Sequence, residues 1–549
     1  MKRITFTLIV VMMFISAFAK NEEMPTVWET KLGHKIIYHG TKLYDDADAY
    51  SFAASNKEIT FFKNLDGSII WTKKFNEIAP KLKKIDELLA FWKSDVIFLF
   101  DRKIGKDQIA CVDMKTGKLL WNTAKYQNIT EDVVLYIPEE NAFAISLKKE
   151  LVFIKARTGE EVWSTTKFKG VVGKYLYNPN DRTMVMVNFV PGGLAAFFTG
   201  FKNQIAKIKL QNGEILWEAT YIGRADRKIW TKDFIYDLDV KDNKVFLKLN
   251  GFQVFDYNTG AALWSAAFDF TPDDVIGGPK GTKRLGIYGA IADPVVVGDD
   301  IYILDMSGKK SQYVKRYDKN TGKLLWTSPE IQKAKAIPGM KVVGNKVVIQ
   351  IGGTVERQYF RHYKSGDKII DEWGLDFPKV KPFGVQAFNT SDGSLAWQSE
   401  KFKKGITNAI SFDKYYIVCS GKSLYSIDVN TGEQKYEVDV KKGGVGLANM
   451  ILTYKDDVIG VIGEKGVSTF NAANGDLINM GKYKKSWLED RIDDIVIMKT
   501  DKADIAAFNL NTCNYKEFKA KKGAATTLTK DGGHVFVYEN KVITKVKAR

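Results

Sequence analysis

The sequence predicts an all-β fold assembled from one repeated unit of four antiparallel strands, and three observations carry that expectation. A polar turn ending in Gly is followed four residues later by Trp at seven places in the 549-residue chain. The turns recur at intervals of 38 to 71 residues, the length of a four-stranded sheet with variable connections. Within each interval the hydrophobic pattern has the same order: two apolar runs, the turn, then a short strand bearing the Trp.

Taken in chain order, the first element is an address. Lys2 and Arg3 precede an apolar run from Leu8 to Ile15, and Ala17-Phe18-Ala19 supplies the small-x-small pattern that signal peptidase reads. Residues 1–19 are therefore expected to be a cleaved signal peptide, and residues 20–549 the mature, extracytoplasmic chain, periplasmic or secreted. No later segment reaches 18 consecutive apolar residues, so no transmembrane span is expected in the mature chain.

The repeats follow. Gly67 stands four residues before Trp71, Gly117 before Trp121, Gly159 before Trp163, Gly213 before Trp217, Gly260 before Trp264, Gly322 before Trp326 and Gly393 before Trp397. Gly432 with Tyr436 and Gly475 with Asn479 are degenerate copies, and Asn511-Thr512-Cys513 is a tenth turn without the aromatic residue. In the turn, Asn or Asp caps its own backbone and Gly accepts the positive φ of a tight hairpin. The Trp is expected to fill the wedge between neighbouring sheets, as a blade-docking residue. Leu82, Ile85, Leu88, Leu89 and Trp92 recur at helical spacing, but Glu87–Trp92 and Val96–Phe100 fall where other units place their first two strands, which favours a hairpin. At the chain ends, Val535–Tyr538 and Val542–Val546 lack a Trp-bearing strand, and Val27-Trp28 resembles that strand without partners. Joining them would close a ring and remove exposed edges.

Composition narrows the chemistry. Lys and Arg number 82 against 65 Asp and Glu, a net charge of +17 that favours anionic partners or surfaces; in a chain of this size it does not by itself indicate nucleic acid. Four His and three scattered Cys argue against zinc enzymes and disulfide scaffolds. His34 and His39 are five residues apart on a probable strand, hence on opposite faces. Asp256-x-Asn258-x-Gly260 imitates the start of a calcium loop but lacks its later carboxylates, and hairpin chemistry accounts for it. No nucleophile elbow, phosphate loop or His-Glu-x-x-His occurs, so no catalytic or metal residue is assigned.

The Asp-x-x-Thr-Gly-x-x-x-Trp unit resembles the pyrroloquinoline-quinone-type β-propeller repeat, which extends along nearly the whole mature chain. The resemblance implies a closed propeller of four-stranded blades, eight or more in number. Two groups share the repeat: quinoprotein alcohol dehydrogenases, and non-enzymatic propellers such as the subunit of the outer-membrane β-barrel assembly machinery. Similarity to the second group implies a non-catalytic scaffold that binds envelope or outer-membrane proteins and needs no cofactor. The alternative is a dehydrogenase using pyrroloquinoline quinone with calcium. The vicinal Cys pair known from many such enzymes has no counterpart, since Cys111, Cys419 and Cys513 are far apart. The longest interval, between Gly322 and Gly393, holds Arg357, Tyr359, Arg361, Tyr363 and Lys364. Interleaved basic and aromatic side chains of this kind make a candidate ligand surface; a solvated connection is the plainer reading.

Overall fold

A computed structural model describes residues 22–549 apart from 44–48, 83, 103–107, 128, 130–132, 148–149, 190–202, 223–236, 250, 269–275, 308–310, 333 and 366–367. The expected signal peptide lies outside these residues.

Residues 134–165 show how sequence becomes sheet. Strands Val134–Ile137, Ala142–Ser146, Leu151–Lys155 and Glu161–Thr165 pair antiparallel in sequence order. The two central strands are apolar at nearly every position because the sheet is covered on both faces. Alternation decides which neighbour each residue meets: Phe143 packs with Phe98 and Cys111 of the preceding sheet, whereas Ala144 packs with Val172 and Met186 of the following one. The fourth strand is mostly exposed, except for its Trp163.

That meander recurs from residue 38 to residue 518. Among the described residues there are nine four-stranded sheets, two five-stranded sheets and one three-stranded sheet. A register shift sits at the start of the last strand in unit after unit, for example between Phe153 and Ile154 and between Lys207 and Ile208. The cause is the turn, whose left-handed Gly inserts one extra residue into the hairpin. Residues 87–92 and 96–100, with their competing helical spacing, lie in strands Glu87–Phe91 and Val96–Asp101, apart from Trp92 at the edge of the turn. Phe75–Ile78 forms a single turn of α-helix.

The chain ends share one sheet. Thr26–Lys31 pairs with Val542–Lys547, placing Trp28 opposite Lys545, and His534–Glu539 and Ala525–Leu528 complete it. One face of this sheet buries Phe536 and Trp28 against Ala53 and Phe62 of the first repeated sheet. The other buries Val535, Val537 and Val546 against Ile495, Ile497 and Ala507 of the last.

The long interval after Gly322 holds more than a connection. Strands Lys346–Thr354 and Lys379–Asn389 pair within one sheet, and a hairpin of Glu356–Ser365 and Lys368–Asp376 is inserted between them. Thr282–Tyr288 joins that hairpin to make the three-stranded sheet.

Candidate functional site: the tryptophan–glycine seam

Each motif Trp lies not under its own turn but under the turn of the next sheet. The rings of Trp71, Trp121, Trp163, Trp217, Trp264, Trp326 and Trp397 meet Gly117, Gly159, Gly213, Gly260, Gly322, Gly393 and Gly432 respectively. Trp28 meets Gly67 in the same way, and Tyr436 meets Gly475. A methyl group at Gly213 would stand 2.6 Å from the Trp163 ring, closer than van der Waals contact allows. The turn therefore needs Gly twice, for its φ of +74° and for the missing side chain.

A hydrogen bond fixes each ring. Trp71 Nε1 donates to Met114 O at 2.8 Å, Trp121 to Ala156 O at 3.0 Å, Trp163 to Leu210 O at 2.8 Å and Trp217 to Tyr257 O at 2.9 Å. Trp326 donates to Thr390 O at 2.8 Å, Trp397 to Val429 O at 2.6 Å and Trp28 to Asn64 O at 3.1 Å. The acceptor is always the residue three before the turn Gly. The hydroxyl of Tyr436 obeys the same rule, donating to Ala472 O at 3.1 Å. Trp264 is the exception: its buried Nε1 has no partner among the described residues. Sequence reasoning missed these acceptors because they are main-chain carbonyls, which no side-chain identity marks.

The polar turn residues are spent on the turns themselves. Asp256 Oδ1 accepts from the Asn258 and Thr259 amides at 3.0 and 2.8 Å and from the Thr259 hydroxyl at 2.9 Å. Those bonds, led by the Thr259 amide, hold its carboxyl below the usual carboxylate range. Asp318 is held down likewise, chiefly by the Thr321 hydroxyl and amide. Between neighbouring turns, Arg157 pairs with Asp113 and also donates to Ser94 O at 2.9 Å. Glu140 accepts from Arg182 Nε and from the Tyr177 hydroxyl, each at 2.9 Å. The Arg182 hydrogen bond is the larger cause of its lowered carboxyl pKa.

The candidate ligand surface lies on the three-stranded sheet. Arg357 and Arg361 share one face of their strand with Tyr359, and each guanidinium sits about 6 Å from the Tyr359 ring centre. Both face carboxylates across the hairpin: Arg357 holds Asp376 at 2.7 and 2.6 Å, and Arg361 holds Glu372 at 2.7 Å. These cations are neutralised within the hairpin. Tyr363 and Lys364 lie on the same strand, with side chains outside the described residues.

A quinone–calcium site would need oxygen donors gathered at one place. Among the described residues no group of three His, Cys, Asp or Glu side chains is placed to hold a metal ion. Cys111, Cys419 and Cys513 are separate, buried thiols; burial raises the pKa of each, that of Cys513 to about 11. His34 is buried with Nε2 3.0 Å from the Thr60 hydroxyl, whereas the His39 ring stacks on Tyr538. No helix among the described residues is long and apolar enough to cross a membrane.

The family model described as outer membrane protein assembly factor BamB matches residues 55–268 and 383–516, more than half of the chain. The chain belongs to this family. It is accordingly a propeller of pyrroloquinoline-quinone-like repeats, similar to BamB. The match breaks off across the segment that carries the three-stranded sheet. Among solved structures, BamB from Moraxella catarrhalis is 14% identical, with 71% of this chain and 97% of that one covered and a TM-score of 0.30. The computationally designed Ika8 protein is 15% identical over 71% of this chain and 100% of its own, at a TM-score of 0.35. A eukaryotic initiation factor is 11% identical over 76% and 97%, also at 0.35. No curated protein matches the chain.

Proposed function

We propose that this protein is a non-catalytic, extracytoplasmic propeller that serves as a protein-binding scaffold in the assembly of outer-membrane proteins. The single observation that carries this reading is membership of the BamB family over two long regions. Residues 1–19 direct export, and residues 20–549 form one propeller. Its blades close into a ring, with the N-terminal strand completing the last blade. In support, the sheet made from both chain ends packs against the first and the last repeated sheets. A ring of this kind holds loops in fixed relation to one another, which suits it to bind envelope proteins rather than to transform a small molecule.

Reconstitution tests the function. Purified mature protein added to proteoliposomes containing the barrel-assembly machinery should accelerate the folding of an outer-membrane β-barrel substrate. An unchanged folding rate, together with turnover of an alcohol and a redox dye on addition of quinone and calcium, would replace this reading with the dehydrogenase one. Export is tested separately: N-terminal sequencing of the envelope fraction should begin at Lys20, and intact Met1 on that material would reject it.

A further inference from the structure

The three-stranded sheet carries an uncovered apolar row. Trp373 and Leu375 of that sheet, and Phe377 just past the end of its strand, alternate with half-buried residues and are 69%, 57% and 58% exposed. Trp373 leans on Phe360 across the hairpin, with ring centres 5.0 Å apart, which widens the row. On the opposite face Arg357 and Arg361 are neutralised by Asp376 and Glu372, so those carboxylates are already occupied.

Immediately beyond Phe377 the surface becomes basic. Lys379 and Lys381 are exposed, and the Lys379 stem lies where a Cβ on Gly405 would meet it at 2.5 Å. That contact brings Lys401, Lys403 and Lys404, all exposed, to the same region. The Phe402 amide bonds to Phe383 O at 3.1 Å and ties the two segments together. No carboxylate among the described residues pairs with any of these five lysines. Glu400 and Asp376 are the acids nearest to them in sequence; Asp376 is held by Arg357, and Glu356 on the apolar face accepts from Gln358 at 2.6 Å.

We propose that this sheet and its lysine cluster bind the surface of an anionic lipid bilayer. An exposed Trp–Leu–Phe row enters the headgroup boundary, where an amphipathic indole is at home, while unpaired lysines two residues along the chain neutralise lipid phosphates. The apolar row, Lys379 and Lys381 stand in the segment that the family match skips, whereas Lys401, Lys403 and Lys404 lie within the matched region. The proposal does not depend on the scaffold reading, because it concerns attachment to a surface and not what the propeller holds.

Vesicle flotation of the full mature chain tests it. The protein should float with vesicles of phosphatidylcholine containing about one third phosphatidylglycerol, remain unbound with phosphatidylcholine alone, and be released by about 0.5 M salt. Trp373→Ser with Leu375→Ser and Phe377→Ser should lower partition at least about tenfold, as should Lys403→Glu with Lys404→Glu, with the β-sheet circular dichroism of each variant retained because all five side chains are exposed. Failure to float with the anionic vesicles overturns the proposal and leaves the patch to a protein partner. Equal binding to neutral vesicles overturns it too, as does indifference of the bound fraction to both sets of substitutions.

Discussion

Gly213→Ala puts the seam between sheets under direct test. At φ +74° an alanine pays for a left-handed backbone, about 1–2 kcal/mol. Its methyl group would also stand 2.6 Å from the Trp163 ring. That ring cannot retreat freely, since it stacks on Phe153 at 4.9 Å and donates to Leu210 O at 2.8 Å. Overpacking of this kind adds about 1–3 kcal/mol, so the total is about 2–5 kcal/mol. Gly344 supplies the control, because its φ is +57° but nothing lies within 4 Å of a Cβ there. Gly344→Ala should carry the backbone part alone, about 1–2 kcal/mol. Trp163→Ala should by itself destabilise by about 3–5 kcal/mol. In that background Gly213→Ala should fall to the Gly344→Ala value, because the obstructing ring is gone. The cycle is read from urea unfolding and from hydrogen exchange across Ile205–Ala219. A Gly213→Ala cost that is identical in the two backgrounds would refute steric docking as the reason for the Gly.

Three further outcomes follow from the same geometry. Trp163→Phe should be costlier than Trp264→Phe, since only the first loses a bond to a carbonyl; equal unfolding midpoints would show the bonds to be idle. Deleting residues 20–30 should strip hydrogen-exchange protection from His534–Glu539 and Val542–Lys547, over 500 residues away in sequence; undiminished protection there would reject ring closure. Glu140 has a folded pKa below its unfolded value, so its contribution is present above about pH 4.5 and is lost as pH falls through the folded value. Glu140→Gln should therefore flatten the acid limb of the stability profile, and an unaltered limb would place the acid sensitivity elsewhere.

Local rules made the repeat readable. Turn chemistry and the Gly-to-Trp offset act within a few residues, so strand order, hairpins and the Trp-bearing strand could be taken from the chain alone. Residues 82–92 illustrate the limit of periodicity: Leu88 and Leu89 fit a helix by spacing, yet pair with Leu99 and Phe98, because the neighbouring strands supply the partners. The tenth turn illustrates the limit of the motif. The aromatic residue that would dock on Asn511-Thr512-Cys513 is replaced by Asn479 of the preceding copy, whose Nδ2 donates to Asn511 O at 2.8 Å.

The candidate site was half legible. The sequence by itself determined which residues dock, Trp and Gly, since their types and spacing are local properties. Only the tertiary structure decided that each Trp serves the next turn rather than its own. Only it supplied the carbonyl three residues before that turn as the acceptor. The same holds for Arg357 and Arg361, which read as free cations until the hairpin set Asp376 and Glu372 opposite them. It holds again for the three-stranded sheet, which joins residues 282–288 to residues 356–376 across an intervening repeat. Hydrophobic period and turn chemistry report what a residue does to its own stretch of backbone. Pairing between distant strands depends on which surfaces remain uncovered once the sheets have stacked, and that information belongs to the packed chain.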